Sequence, residues 1–308
     1  MRAPVPGAIL RVVYTEHLRI PVGPGALHIE RYGRAGPAIV LLHGFGTCAF
    51  LWRAVAPRLA EQGFTVLAID LLGFGESDRP PDGEFRPAAQ ATYVERALTA
   101  LRLGQVMVAG QDLGALVAML LASRHPALVR RLALLEPLDP DDLPGPAIRA
   151  LQRTSALSAL QANALFGARP LLEPLLREAV TVPARMPDLL VARYLAPFVG
   201  GQGAADLLRL ASTIALAPDD WQRLGQFRGQ AMLWCGADER TPSRRGHDHG
   251  AAARERLARW QHRLPEAALV PLFTRLHPDT LVAEDAPEAL TAALGAWGAY
   301  AEQRPNAP

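Results

Sequence analysis

The sequence predicts an α/β chain: a doubly wound, mostly parallel sheet interrupted by a helical insert. Three observations predict it. Short continuous apolar runs alternate with segments of helical spacing, which is the rhythm of strands buried on both faces and crossover helices. The helical segments stop at glycine or proline. The rhythm breaks once, after Glu136, and returns near residue 226. A chain of 308 residues, 50% of them hydrophobic, is long enough for one large core and an insert.

The elements follow in order. "LRVVYTEHLRI" and "ALHIERYG" read as an antiparallel pair at one edge of the sheet. "AIVLLHGFG" is a buried strand that ends in glycines, and "FLWRAVAPRLAEQG" has helical spacing closed by glycine. "FTVLAID" is the next strand and "AAQATYVERALTALRLG" the next helix. "QVMVAG" is a strand that turns at once into the helix "LGALVAMLLASRHP", and "VRRLALLEP" is a strand again. "PLDPDDLPGP" then opens a stretch with helical spacing and no buried strand, running to about Pro218. "QAMLWCGAD", an arginine-rich helix, "AALVPLF" and a helix from about Pro287 to Gln303 complete the pattern. Residues 1–137 and 226–308 are therefore assigned to a core, and 138–225 to a helical cap.

Composition narrows the function. Net charge is +2 and no basic run stands out, so nucleic acid is not an expected partner. The chain has no lysine, which excludes a P-loop lysine and Schiff-base chemistry. Two cysteines, Cys48 and Cys235, are too few for a disulfide framework or a zinc site. The first twenty residues lack an apolar core of signal-peptide length, and no apolar run is long enough to span a bilayer. The expectation is a cytoplasmic protein acting on a small molecule, with no membrane partner and no cofactor; the oligomeric state is not legible.

Five motifs, in order, resemble the α/β-hydrolase superfamily: "HGFG" (43–46), "DLLGFGESDRP" (70–80), "GQDLG" (110–114), "WCGAD" (234–238) and "LHPDTLVAEDAPEAL" (276–290). The resemblance covers nearly the whole chain and implies that the helical insert is a cap over the active site. The third motif sits where this superfamily has G-x-S-x-G, and its centre is Asp112 rather than serine. In that respect the chain is similar to haloalkane dehalogenases and epoxide hydrolases, and "HGFGTCAFLWR" (43–53) and "YLAPF" (194–198) resemble dehalogenase segments.

Aspartate changes the chemistry. A carboxyl with an ordinary pKa near ~3.9 is already ionised at neutral pH and attacks without losing a proton. Attack on a saturated carbon gives a stable alkyl ester, whereas attack on a carboxylic ester would give an anhydride. Asp112 thus points to a carbon–halogen bond or an epoxide. The alternative is that Asp112 merely caps the following helix.

Hydrolysis of the alkyl ester needs a base, an acid to hold it and an oxyanion hole. The resemblance implies His277 as base and the backbone N–H groups of Phe45 and Leu113 as the hole, with His43 structural. Two residues compete for the acid. Asp238 follows a strand in the commoner arrangement of the superfamily; Glu136 ends a strand 24 residues after Asp112, where some dehalogenases take theirs. "GHDHG" (246–250) reads as a solvated loop rather than a metal site.

The leaving-group positions depart from each relative. Dehalogenases place side-chain N–H donors where this chain has Phe45 and Leu113, fluoroacetate dehalogenases an arginine where it has Leu113, and epoxide hydrolases a proline where it has Gly46. Tyr194, the sole tyrosine of residues 138–225, is the candidate donor to an epoxide oxygen. A non-hydrolytic member that keeps the pocket for ligand binding, or one that uses it for other chemistry, is the competing reading.

Overall fold

The computed structural model describes residues 15–138, 141–153, 167–224, 226–236, 249–265, 268–274 and 280–299. Its centre is a sheet in which eight described strands run in the order β1-β2-β4-β3-β5-β6-β7-β8. They are β1 (Thr15–Pro21), β2 (Ala26–Tyr32), β3 (Ala38–Leu42), β4 (Thr65–Ile69), β5 (Val106–Gln111), β6 (Val129–Leu135), β7 (Gln230–Gly236) and β8 (Ala268–Thr274). β1, β2 and β4 pair antiparallel and every other pairing is parallel. All eight runs read as strands in the sequence are strands, with the antiparallel pair at the edge.

The centre of the sheet is made of the runs with no polar alternation. Every residue of β4 and β5 is buried, because parallel strands are covered on both faces. The covering helices are α1 (Ala56–Glu61), α2 (Pro87–Ala100) and α3 (Leu113–Arg124). α3 is apolar all round and buried from Leu113 to Ala122, the signature of a helix enclosed by protein. The segment "FLWRAVAPRLAEQG" is not one helix. It splits into a 3-10 turn, Ala49–Trp52, and α1, because Pro57 lies in the first turn of α1. Proline lacks an N–H and is tolerated only where the helix has no use for one.

Between β6 and β7 lie α4 (Pro146–Gln152), α5 (Arg169–Glu178), α6 (Asp188–Leu195), α7 (Gly200–Ser212) and α8 (Pro218–Leu224), with no strand among the described residues there. Then come α9 (His249–Arg263), a short α10 (Val282–Asp285) that the sequence pattern does not announce, and α11 (Pro287–Ala299). No helix among the described residues is long and apolar enough to cross a membrane.

Candidate active site

β5 leads straight into α3, and the one residue between them is Asp112. Its backbone is left-handed, with φ 51° and ψ −116°, a region that costs a non-glycine residue about 1–3 kcal/mol. The surroundings hold it there. Its N–H donates to Leu135 O at 3.0 Å, and its carbonyl accepts from Ala115 at 3.0 Å. The glycines on either side allow the turn to close. A Cβ on Gly110 would lie 2.1 Å from the carbonyl oxygen of Gly114, and one on Gly114 2.4 Å from that of Leu42. The G-x-D-x-G spacing is thus a steric requirement of the turn.

Asp112 is not a helix cap. Its side chain makes no capping hydrogen bond to α3. Instead Phe45 N–H donates to Asp112 Oδ2 at 2.8 Å. The first expected oxyanion donor is therefore in contact with the carboxylate. Leu113 opens α3, so its N–H is one of the helix's first four, which have no carbonyl partner within the helix.

The loop that presents Phe45 is pinned from below. His43 is fully buried, its Nε2 accepts from Leu71 N–H at 3.0 Å, and its Nδ1 lies 2.8 Å from Gly44 O. That pair assigns the proton to Nδ1, and burial pushes the ring's pKa down, so it stays neutral. His43 is structural, as its place in the motif implies. Asp70, just after β4, accepts from Ala49 N–H (2.5 Å), Glu76 N–H (2.9 Å) and the His28 ring (2.8 Å), tying β2 to the segments that carry Ala49 and Glu76. Gly46 has φ +72°, which proline cannot adopt, and Leu172 of α5 would be 2.5 Å from a Cβ there. A proline does not fit at this position of "HGFG", where Leu172 of the helical insert packs close.

Glu136 follows β6, the strand beside β5. It is buried and its φ is also positive, at 41°. Its carboxylate accepts from Gly236 N–H, at the end of β7, and from Arg256 at 3.1 Å. Asp112 and Glu136 are thus strained carboxylate residues at neighbouring strand ends, joined through the Asp112–Leu135 backbone bond. Asp238 lies two residues beyond β7 and His277 three beyond β8, and both fall outside the described residues, as do positions 246–248 of "GHDHG". The chain after His277 is described from Thr280. Gln111 Nε2 donates to Thr280 O at 2.9 Å, so that segment lies against the elbow.

The same segment also ties the helical insert to the C-terminal side of the chain. Leu281 N–H donates to Ala179 O at 2.7 Å, and Thr181 N–H to Asp285 Oδ2 at 2.7 Å. Glu284 is buried and accepts from both Nη atoms of Arg53 (2.6 and 2.8 Å) and from the hydroxyl of Tyr194 (2.5 Å). Burial first, and then the Glu284 charge and hydrogen bond, push the Tyr194 pKa well above its ordinary value. The hydroxyl considered as donor to an epoxide oxygen is therefore committed to Glu284. Sequence reasoning missed this latch. "EDAPEAL" served there only to locate the histidine, and nothing local in the sequence ties Arg53 to a residue 231 positions away.

The family profile for the alpha/beta hydrolase fold matches residues 37–177. The chain is 30% identical to a haloalkane dehalogenase of Mycobacterium marinum over 224 residues, covering 69% of this chain and 70% of that one. It is 38% identical to bifunctional epoxide hydrolase 2 of Rattus norvegicus over 143 residues, which are 44% of this chain and only 25% of that longer protein. A haloalkane dehalogenase loop variant from Bradyrhizobium elkanii superposes with a TM-score of 0.71 at 24% identity, covering 94% of this chain and 98% of the other.

Proposed function

Because the chain belongs to the α/β-hydrolase fold family, with haloalkane dehalogenases and epoxide hydrolases among its relatives, we propose that it hydrolyses a small apolar haloalkane through a covalent ester on Asp112. The observation that carries this reading is the Phe45–Asp112 contact. With Oδ2 in the oxyanion site, attack falls to Oδ1. The carbon–halogen bond breaks, the halide leaves with its electron pair, and the new ester's carbonyl oxygen already sits on its donor. Water, deprotonated by His277, then adds to that carbonyl. The negative charge develops on Oδ2, where preorganised N–H donors are worth most. Collapse expels the alcohol, which takes up the proton from His277.

Glu136 and Asp238 are the candidates for the acid that holds His277. The strained backbone of Glu136 beside Asp112 supports Glu136, since such strain gathers at functional sites. It reverses the order that the commoner sequence arrangement suggests.

Halide is favoured over epoxide as leaving group by the state of Tyr194. A halide ion is a weak base and departs without a proton, whereas an opening epoxide leaves an alkoxide that needs one. The cap tyrosine that could supply it is held by Glu284. The epoxide hydrolase reading rests on the same nucleophile and is separated by substrate.

The test is a single turnover of a bromoalkane, with enzyme in excess, in water labelled with heavy oxygen. Expected is label in the peptide carrying Asp112 and none in the alcohol. Label in the alcohol and none in the peptide would mean direct attack by water, and turnover of terminal epoxides alone would move the assignment to the second reading.

A further inference from the structure

Far from the elbow in sequence, the edge hairpin gathers a second set of chemically able side chains. In an antiparallel pair, alternate residues share a face and directly opposed residues meet. β1 and β2 are registered with His17 opposite Glu30, two positions along from His28 opposite Arg19. His17, His28 and Glu30 therefore share one face. The His17 Nδ1 and His28 Nε2 atoms are 3.0 Å apart, and one donor atom from each of the three residues lies within 4.8 Å of the others. Glu76, from the loop after β4, brings a carboxylate oxygen to 3.8 Å from His28 Nε2.

The supporting contacts suit a metal site. A ligating histidine is commonly oriented by a carboxylate on its other ring nitrogen. Here Asp70 Oδ2 lies 2.8 Å from His28 Nδ1, which directs the Nε2 lone pair toward His17 and Glu76. Glu30 is steadied in the same way by the Tyr32 hydroxyl at 2.5 Å. His28 and Glu30 are buried, while His17 is exposed. Tetrahedral zinc with ligand bonds of about 2.0–2.1 Å holds its donor atoms about 3.4 Å apart. The 3.0 and 3.8 Å separations bracket that value.

We propose that His17 Nδ1, His28 Nε2 and Glu30, with Glu76 completing the set, bind one divalent transition-metal ion of the zinc class. Two imidazoles and carboxylates select such an ion over calcium or magnesium, which prefer all-oxygen shells. The ion would staple the edge hairpin to the loop after β4, which Asp70 already connects to the loop carrying Ala49. It stands apart from the Asp112 chemistry and does not depend on it.

The experiment uses the full chain without an affinity tag, stripped with a chelator and exchanged into chelator-free buffer. Zinc is titrated in by calorimetry, with metal content measured after gel filtration, and cobalt serves as a spectroscopic probe of coordination. Expected is one zinc per chain, a melting temperature that rises and saturates at one equivalent, and tetrahedral cobalt bands. His17→Gln should weaken binding at least tenfold and Glu76→Gln by less. Both side chains are solvent-accessible, so folding is preserved and is checked by circular dichroism. A double substitution of His247 and His249 should leave binding unchanged. Absence of stoichiometric zinc, wild-type affinity in His17→Gln, or loss of binding on removing His247 and His249 would each overturn the assignment and leave His17–His28 as a plain hydrogen-bonded pair.

Discussion

Tyr194→Phe separates a structural hydroxyl from a chemical one. Tyr194 is 1% exposed, and its hydroxyl donates to a carboxylate that is itself buried. Removing the oxygen deletes a charge-assisted hydrogen bond with no water to replace it, worth about 1.5–3 kcal/mol. The loss should not reach the larger penalty of an orphaned buried charge, because Arg53, its side chain 32% exposed, still holds Glu284 through two hydrogen bonds. A loss of about 2 kcal/mol in a chain of this size lowers the melting temperature by about 3 °C. The assay pairs thermal unfolding with turnover of a bromoalkane and a terminal epoxide at a temperature where the variant is fully folded. Bromide release should persist. Had Tyr194 been the proton donor, epoxide turnover would fall by about 10²–10⁴. A fall of that size with an unchanged melting temperature would refute the latch.

Other expectations follow from the same contacts. Asp112→Asn, which keeps the shape but removes the ionised nucleophile, should abolish bromide release and leave the fold intact by circular dichroism. Glu136→Gln should lower the rate more than Asp238→Asn, on the order of 10⁴ if the acid matters as it does in the serine triad; the opposite ranking in steady-state kinetics would give the role to Asp238. Cys48 is buried and burial pushes its thiol up to about 12, with the nearby Asp70 charge adding to the effect. Its thiolate fraction at pH 8 is then about 10³-fold below that of an ordinary thiol, and peptide-level alkylation should show it inert until the chain unfolds. Gly46→Pro, which would restore the epoxide-hydrolase motif, should instead destabilise the chain by more than the ~1–3 kcal/mol of backbone strain, because Leu172 also has to move; denaturant unfolding measures this.

The fold was legible because its signals are local. Continuous apolar runs gave the strands, and glycine and proline gave the stops. Where one proline sat inside a helical period, at Pro57, the pattern merged two elements that the backbone keeps apart. The turn at Asp112 was legible for the same reason, because its flanking glycines announce it in a few residues, whereas Phe45 entered only through the resemblance to the α/β-hydrolase superfamily. The Arg53–Glu284–Tyr194 latch and the histidine pair on the edge hairpin were not. Each depends on side chains brought together by strand register or by the return of a distant segment, and isolated arginines, glutamates and histidines look alike in a sequence whether they are solvated or paired. The sequence also treated Tyr194 as a donor available to substrate, since nothing near it shows that Glu284 claims its proton.

The main chain of the elbow is fixed by its own backbone contacts. The N–H to Leu135, the carbonyl to Ala115, and the close packing of Gly110 and Gly114 make no use of what Asp112 carries beyond its Cβ. Such a mount is indifferent to its cargo. A hydroxyl, a thiol or a carboxylate placed there would be aimed in the same direction at the same Phe45 amide. The choice among acyl transfer, thioester chemistry and alkyl displacement is then made by a single side chain on an unchanged frame, and descent with a changed reaction requires no rebuilding of the fold.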